Sequence, residues 1–355
     1  MNTASIIVDR HLLSEADDAR ADFLKDYFCE LVASTEQVPE GWRITLDRPP
    51  TPDYYVDPDF EDGLDWWSKK FGRIGIGDVP FAFNDKLGFQ LSFQDSWTLY
   101  SWSKYLAGFT DSAGLPSEIV ILHLDDHDDF MTPRLLLNAG DGVADREWID
   151  AITKRRFDLL SPETVKSAIE SGAVGIGSFL APLMYMIPRV HVRHLCSTEY
   201  LAERIGAHAI GIETVEDKLL SPGALRPAIK HISTGSDELP HSGHTYLVTD
   251  DLNAWLDDLP ECPILVHIDM DYFNNRFNGD SDWIYNGAKY DPPLAQVLNR
   301  IDEFFVALAE HKLTGRIIDF AAALSPGFFP ADLWASSIER ISTHYDKLLN
   351  EKERV

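Results

Sequence analysis

The chain is poor in cysteine. Its 355 residues hold three, Cys29, Cys196 and Cys262, odd in number and never in CxxC pairs. That excludes a disulfide framework and a zinc ribbon. Positive charge is also scarce: 31 Lys and Arg stand against 58 Asp and Glu, a formal net charge of −27. A phosphate polyanion would be repelled, so nucleic acid is not an expected partner. A cationic substrate would be attracted, although an acidic surface also serves solubility alone. No run of about 18 apolar residues is present, so no membrane span is expected. The N-terminus, MNTASIIVDRHLLSEADD, lacks a basic region leading into a long apolar stretch. It therefore carries no expected signal peptide, and the chain reads as cytoplasmic. Internal repeats and low-complexity segments are absent too. What the chain does have is 45% hydrophobic and 11% aromatic residues, enough for a substantial core.

The pattern along the chain predicts an α/β domain. Residues 14–34 read as a helix with Ser14 as N-cap and acids in its first turn. Short β-rich runs follow at 42–48, 73–77 and 89–93, around an acidic, aromatic surface loop at 51–67. Helices are expected at 95–107, 161–171 (Ser161 as N-cap, Pro162 at N1), 293–311 and 331–349. Strands are expected at 118–125, 173–178, 189–194, 207–212, 263–270 and 315–323. Apolar strands alternating with helices predict a mostly parallel sheet covered on both faces. A single domain over 1–355 is expected, with residues 1–90 as an N-terminal elaboration.

The chemistry concentrates at two strand ends. ILHLDDHDD (121–129) follows an apolar strand and carries Asp125, His127 and Asp129 at period two. Alternate residues of an extended segment share a side, so these three converge while Asp126 and Asp128 point elsewhere. HIDMD (267–271) ends a second apolar strand, with Asp269 and Asp271 also two apart. Open α/β sheets place ligands outside the carboxyl ends of their strands. Two such ends side by side aim four carboxylates and one imidazole at one point, too much negative charge to persist without cations. Asp-rich sets with a histidine suit hard to borderline ions such as Mn²⁺. Four carboxylates offset two divalent ions, and a two-metal site activates water. Either motif alone also fits solvated turn residues or helix caps; the pair makes the metal reading the stronger one.

These motifs resemble the central metal motifs of the arginase (ureohydrolase) superfamily, DxHxD and DxD. The wording around them, above all HIDMDYFNNRFNGDSDW (267–283), is closer to a divergent branch, the UPF0489 proteins, and resembles peptide arginases of ribosomal-peptide biosynthesis. VGIGSFLAPLMY (174–185) and ALSPGFFP (323–330) are weaker echoes, so the resemblance spans roughly residues 90–330. It implies a three-layer α/β/α fold of the arginase/deacetylase kind with a binuclear Mn²⁺ centre. It also implies conversion of arginine side chains in a precursor peptide to ornithine, releasing urea. Under it Asp125 and Asp269 bridge both ions, Asp129 completes one ion's set, and His127 and Asp271 complete the other's; Asp125, His127 and Asp269 are the expected catalytic core.

The sequence departs from that pattern in two places. Arginases supply one more histidine ahead of the DxHxD strand; here the matching stretch is FQDSW (93–97), where Gln94 or Asp95 would supply an oxygen instead. Asp95 reads equally as a helix N-cap. The acid that holds the guanidinium is missing from AALSP, leaving Glu213, Asp280 and Asp282 as substrate-anchor candidates. His123 and His267 read as core histidines or as donors that orient carboxylates. His241 and His244 read as surface-loop residues or proton shuttles. WWSKKF (66–71) reads as core packing or a peptide rest. Three functions remain open: a peptide arginase, a small-guanidine ureohydrolase or amide deacetylase on the same site, and a non-catalytic metal-stabilised binding protein. Sequence alone leaves the oligomeric state undefined.

Overall fold

Glu118–Leu124 is a strand whose residues alternate between two cores. Ile119 and Ile121 enter one; Val120, Leu122 and Leu124 enter the other, and all five are fully buried. A strand dry on both faces belongs mid-sheet. It pairs in parallel with Ile264–Asp269 on one side and Arg189–Leu195 on the other. The computed structural model describes residues 4–352 apart from 30, 48–55, 110–114, 138–147, 198, 234–242, 281 and 288–289.

Six parallel strands form the centre of the sheet. Their order is Gln90–Ser92, Ile317–Ala323, Ile264–Asp269, Glu118–Leu124, Arg189–Leu195 and His244–Thr249. Helices Leu294–Glu310 and Trp334–Lys352 contribute to the core on one face, and Trp97–Phe109 and Pro162–Ser171 to the core on the other. The class is therefore α/β. The sheet as a whole is mixed rather than mostly parallel. Phe83–Asn84 adds antiparallel at one edge, and Gly206–Glu216, Leu225–Ser233, Leu135–Leu137, Trp148–Asp150 and Arg156–Phe157 extend the other. The connection from Glu216 to Leu225 is too short for the helical crossover that a parallel pair requires. Among the described residues no helix is long and apolar enough to cross a membrane.

Ahead of this body, Ala4–Val8, Gly41–Asp47 and Val32–Val38 form a separate antiparallel sheet in that order, with helix Asp17–Phe28 against it. Buried Arg134 ties the module to the body, donating to the carbonyls of Tyr27 at 2.6 Å and Gly172 at 2.8 Å. The Tyr27 hydroxyl donates to fully buried Asp217 at 2.5 Å. Within residues 1–90, the part from Phe60 onward belongs to the body: Phe60 packs on Trp334 and Trp67 on Phe93.

Four local expectations differ from the structure, each for a physical reason. The helix expected over 14–34 stops at Phe28, because Cys29 turns into the left-handed region (φ 54°) and β-branched Val32 starts a strand. Much of the loop expected at 51–67 is helix, since Phe60, Gly63, Trp67 and Phe71 form one buried face of Phe60–Phe71; residues 51–55 lie outside the described set. Residues 73–77 lead into a 3₁₀ turn at Ile76–Phe81, where Gly75 N donates to Asp78 Oδ2 at 2.8 Å. Residues 173–178 also turn: Ser178 Oγ accepts from Gly175 N at 2.9 Å, and Gly177 has φ 71°. Side-chain bonds to nearby backbone compete with the strand ladder at both places.

Gly63 gives a first prediction. A Cβ there would meet the Trp334 ring at 2.7 Å and Ala331 Cβ at 2.8 Å, against a fully buried indole. Relief of glycine's helix penalty is worth about 1 kcal/mol, while overpacking costs typically about 1–3 kcal/mol. Gly63→Ala is expected to destabilise by up to about 2 kcal/mol, read as a lower denaturant midpoint at unchanged slope.

Candidate metal centre

The two acidic motifs meet at the carboxyl ends of the central strands. Asp125 follows Leu124, and its N–H donates to the Leu195 carbonyl at 3.2 Å on the neighbouring strand. Asp269 is the last residue of Ile264–Asp269, and its Oδ1 accepts from Asp271 N at 3.0 Å. His127 Nδ1 sits 2.9 Å from Asp271 Oδ2 and 3.3 Å from Asp125 Oδ1. Asp129 is brought back toward Asp125 by a left-handed backbone (φ 54°). Asp125, Asp129, Asp269 and Asp271 are all buried, while His127 is 39% exposed.

Their donor atoms fall into three groups, each compact enough to hold a metal ion. These are Asp125 with His127 and Asp271; Asp95 with Asp125 and Asp269; and His123 with Asp125, Asp129 and His267. Asp125 is common to all three. Of the two oxygen donors expected from FQDSW, Asp95 enters a group, while Gln94 lines the adjoining cavity. Asp95 also serves the helix start through its backbone, its carbonyl accepting from Thr98 N at 2.8 Å. Asp126 faces away: Oδ1 accepts from Ser197 N and Oγ, and Oδ2 from Asn275. Asp128 pairs with Arg204.

The electrostatics fit a cation. Burial first, then the charges of Asp271, Asp269 and Asp95, push the Asp125 carboxyl well above the usual range. Burial, then Asp125 and Asp95, does the same to Asp129; burial, then Asp271 and Asp95, does so to Asp269. Burial alone would lower the His127 pKa, but Asp271, Asp129 and Asp269 together raise it to about 10. Without metal the cluster is thus a proton store. Among the described residues, the buried Oδ2 atoms of Asp125 and Asp129 have no hydrogen-bond partner. Buried acceptors of this kind carry a desolvation cost that a divalent ion removes.

A row of histidines supports the cluster from below. His267, His123 and His194 are level across three parallel strands. A carbonyl can only accept, so His123 Nε2–H donates to the His127 carbonyl at 3.1 Å, and His194 Nε2–H to the Asp125 carbonyl at 2.9 Å. These bonds fix the tautomers. His123 Nδ1 accepts from His267 Nδ1–H at 2.9 Å, and His194 Nδ1 accepts from the Tyr246 hydroxyl at 2.7 Å. Burial lowers all three histidine pKa values, to about 4 for His194 and about 3 for His267, so the row is neutral. It holds the backbone of the ligand-bearing turn. His194 and Tyr246 escaped the sequence reading because neither lies in an acidic motif; the signal was their strand register.

Several candidates lie elsewhere. Glu213 is on Gly206–Glu216, beyond the start of its antiparallel neighbour His244–Thr249 and so toward the opposite end of the sheet, with Lys230 Nζ at 3.9 Å. Asp280 and Asp282 belong to the loop after Gly279, where Asp280 Oδ1 accepts from Asp282 N at 2.7 Å; neither lines the cavity. Strand direction carries Glu213 away from the cluster, while Asp280 and Asp282 lie outside the cavity lining. His244 Nδ1 accepts from Val190 N at 3.0 Å inside the sheet, so it is no surface-loop shuttle; His241 lies outside the described residues. Trp67 and Phe71 of WWSKKF are core residues, not a peptide rest.

The cluster opens into a cavity of about 790 Å³. Its inner wall is formed by Asp95, His127, Asp129, Asp269 and Asp271 of the cluster with Phe93, Ser325 and Phe328. Ser325 Oγ donates to Asp269 Oδ2, and Phe328 lies edge-on to the His127 ring at 5.2 Å. The outer wall is the N-terminal module, including Asp22, Lys25, Leu31 and Val32. Compared against models of known protein families and against curated proteins, the chain matches none.

Proposed function

We propose that the protein is a manganese-dependent hydrolase that converts peptidyl-arginine to peptidyl-ornithine and urea in the maturation of a peptide natural product. The observation that carries this reading is the convergence of DxHxD and DxD on Asp125, behind a cavity wall formed by His127, Asp129, Asp269 and Asp271. Asp95 supplies an oxygen where the resembling family has a histidine, and oxygen-rich sets suit Mn²⁺. In this reading Asp125, Asp269, Asp129, Asp95, His127 and Asp271 would together hold the two ions. When bound, such a pair supplies a water activated near neutral pH and a Lewis acid.

The chain's own residues do the rest. The Ser325 hydroxyl orients Asp269, and the His123 and His194 imidazoles hold the carbonyls of His127 and Asp125. The chain's net charge of −27 favours approach of a cationic guanidinium. Water adds to the guanidinium carbon, the Cζ–Nε bond breaks, and Nε takes a proton to become the ornithine amine. Walls from two modules shield part of the cavity from bulk water, which strengthens the charge interactions there.

One observation favours a second reading. Asp22 and Lys25, one turn apart on the same helix, both line the cavity and could hold the ammonium and carboxylate of free arginine. Mass spectrometry of Mn²⁺-loaded protein with an arginine-containing peptide, and separately with free arginine, separates the two. Loss of CH₂N₂ from the peptide alone is expected. Loss from free arginine moves the protein to the small-guanidine ureohydrolases. Loss from neither, in protein shown to hold metal, removes the reaction.

A further inference from the structure

The outer wall of the cavity contains the beginning of an edge strand. Val32 and Ala33 line the cavity and are also the first residues of Val32–Val38. This strand pairs on one side with Gly41–Asp47; among the described residues nothing pairs with its other edge. An open edge presents a row of N–H and C=O groups ready for another chain. Proteins usually blunt such edges with Lys, Pro or a bulge. VASTEQV has neither Lys nor Pro, its register with Gly41–Asp47 runs without a break, and its one charge, Glu36, is paired with Arg43. Val32 is 52% exposed.

The cavity is also large for one side chain. At about 790 Å³ it lies in the range that encloses a drug-sized ligand, about 300–1,000 Å³. A single arginine side chain leaves much of that space for chain on either side. Cavity and edge are continuous at Val32 and Ala33, so a backbone that pairs with the edge passes the cavity mouth.

We infer that an extended arginine-containing peptide adds to the open edge of Val32–Val38 as a fourth strand, and that this pairing places its arginine in the cavity. Backbone pairing of this kind gives affinity with little sequence demand, while the pocket selects the side chain. The acidic cavity and the chain's net charge of −27 complement a basic peptide. The inference rests on the peptidyl-arginine reading.

Hydrogen exchange on the full-length, metal-free protein tests it, with the peptide and free arginine as separate additions. Turnover of the same peptide by Mn²⁺-loaded protein is measured alongside. The peptide is expected to slow exchange within residues 32–38 by about tenfold or more, with free arginine having no such effect. Ornithine formation without protection of 32–38 overturns the inference and leaves the reaction standing. Protection without ornithine supports the inference and removes the reaction. Neither protection nor ornithine overturns both. Protection that grows with protein concentration in the absence of peptide shows that a second copy takes the edge, and overturns the inference.

Discussion

Asp125→Asn is expected to abolish turnover and leave the fold intact. Asp125 is the one residue present in all three donor groups, so its loss weakens every way of holding an ion. Losing a residue that merely orients a ligand costs about 10–100-fold in metal affinity or activity. Losing the shared ligand is expected to exceed that, with kcat/KM down more than about 10³-fold. The amide keeps an acceptor for His127 N, which Asp125 Oδ1 engages at 2.7 Å, so the turn survives. The sign of the stability change is diagnostic. Burial and the charges of Asp271, Asp269 and Asp95 all oppose ionisation of Asp125. A neutral isostere is therefore expected to leave the metal-free protein as stable as before or more so. Thermal unfolding of the metal-free variant checks this: a large drop would mean that Asp125 is chiefly a structural residue.

The second large effect is on the pH dependence of metal-free stability. Asp125, Asp129 and Asp269 have folded pKa values well above the carboxylate range, and His127 is raised from 6.5 to about 10. A raised group contributes stability that is full below its unfolded pKa and lost as pH rises through the folded one. His123, His194 and His267 have the opposite sign: their contribution is full above 6.5 and is lost as pH falls through their depressed values. Below about pH 6.5 the two sets oppose each other; above it, only the first acts. EDTA-treated protein is therefore expected to lose stability steadily between about pH 6.5 and 9. Mn²⁺ must displace those protons, so it binds more tightly as pH rises. At a hundred times its Kd a ligand adds about 2.7 kcal/mol. The gap in melting temperature between Mn²⁺-loaded and EDTA-treated protein should widen across that range. A constant gap would mean that the cluster's protons are not linked to metal binding.

The residues show which parts of this architecture a linear reading could see. The acidic turn was visible because its residues follow directly on an apolar strand, although the strand ends at Leu124 and His127 meets Asp125 through a turn in which His127 N donates to Asp125 Oδ1. Asp129 stays with them only because its backbone turns left-handed, which no spacing rule predicts. The histidine row was half visible: His123 and His267 precede the acids by two, but His194 enters through strand register alone. The outer wall of the cavity was not visible. Asp22, Lys25 and Val32 are about a hundred residues from the DxHxD motif, and Arg134 and Asp217 are what anchor their module there. The direction of the Gly206–Glu216 strand was also hidden, and direction alone removes Glu213 from the site.

Metal content distinguishes a two-ion centre from a merely acidic cluster. Purified protein is dialysed with Mn²⁺, freed of excess ion and measured by elemental analysis, beside Asp125→Asn. Two ions per wild-type chain and substantially fewer in the variant are expected. Wild-type protein that retains no divalent ion at neutral pH, or a variant that retains both, would contradict it.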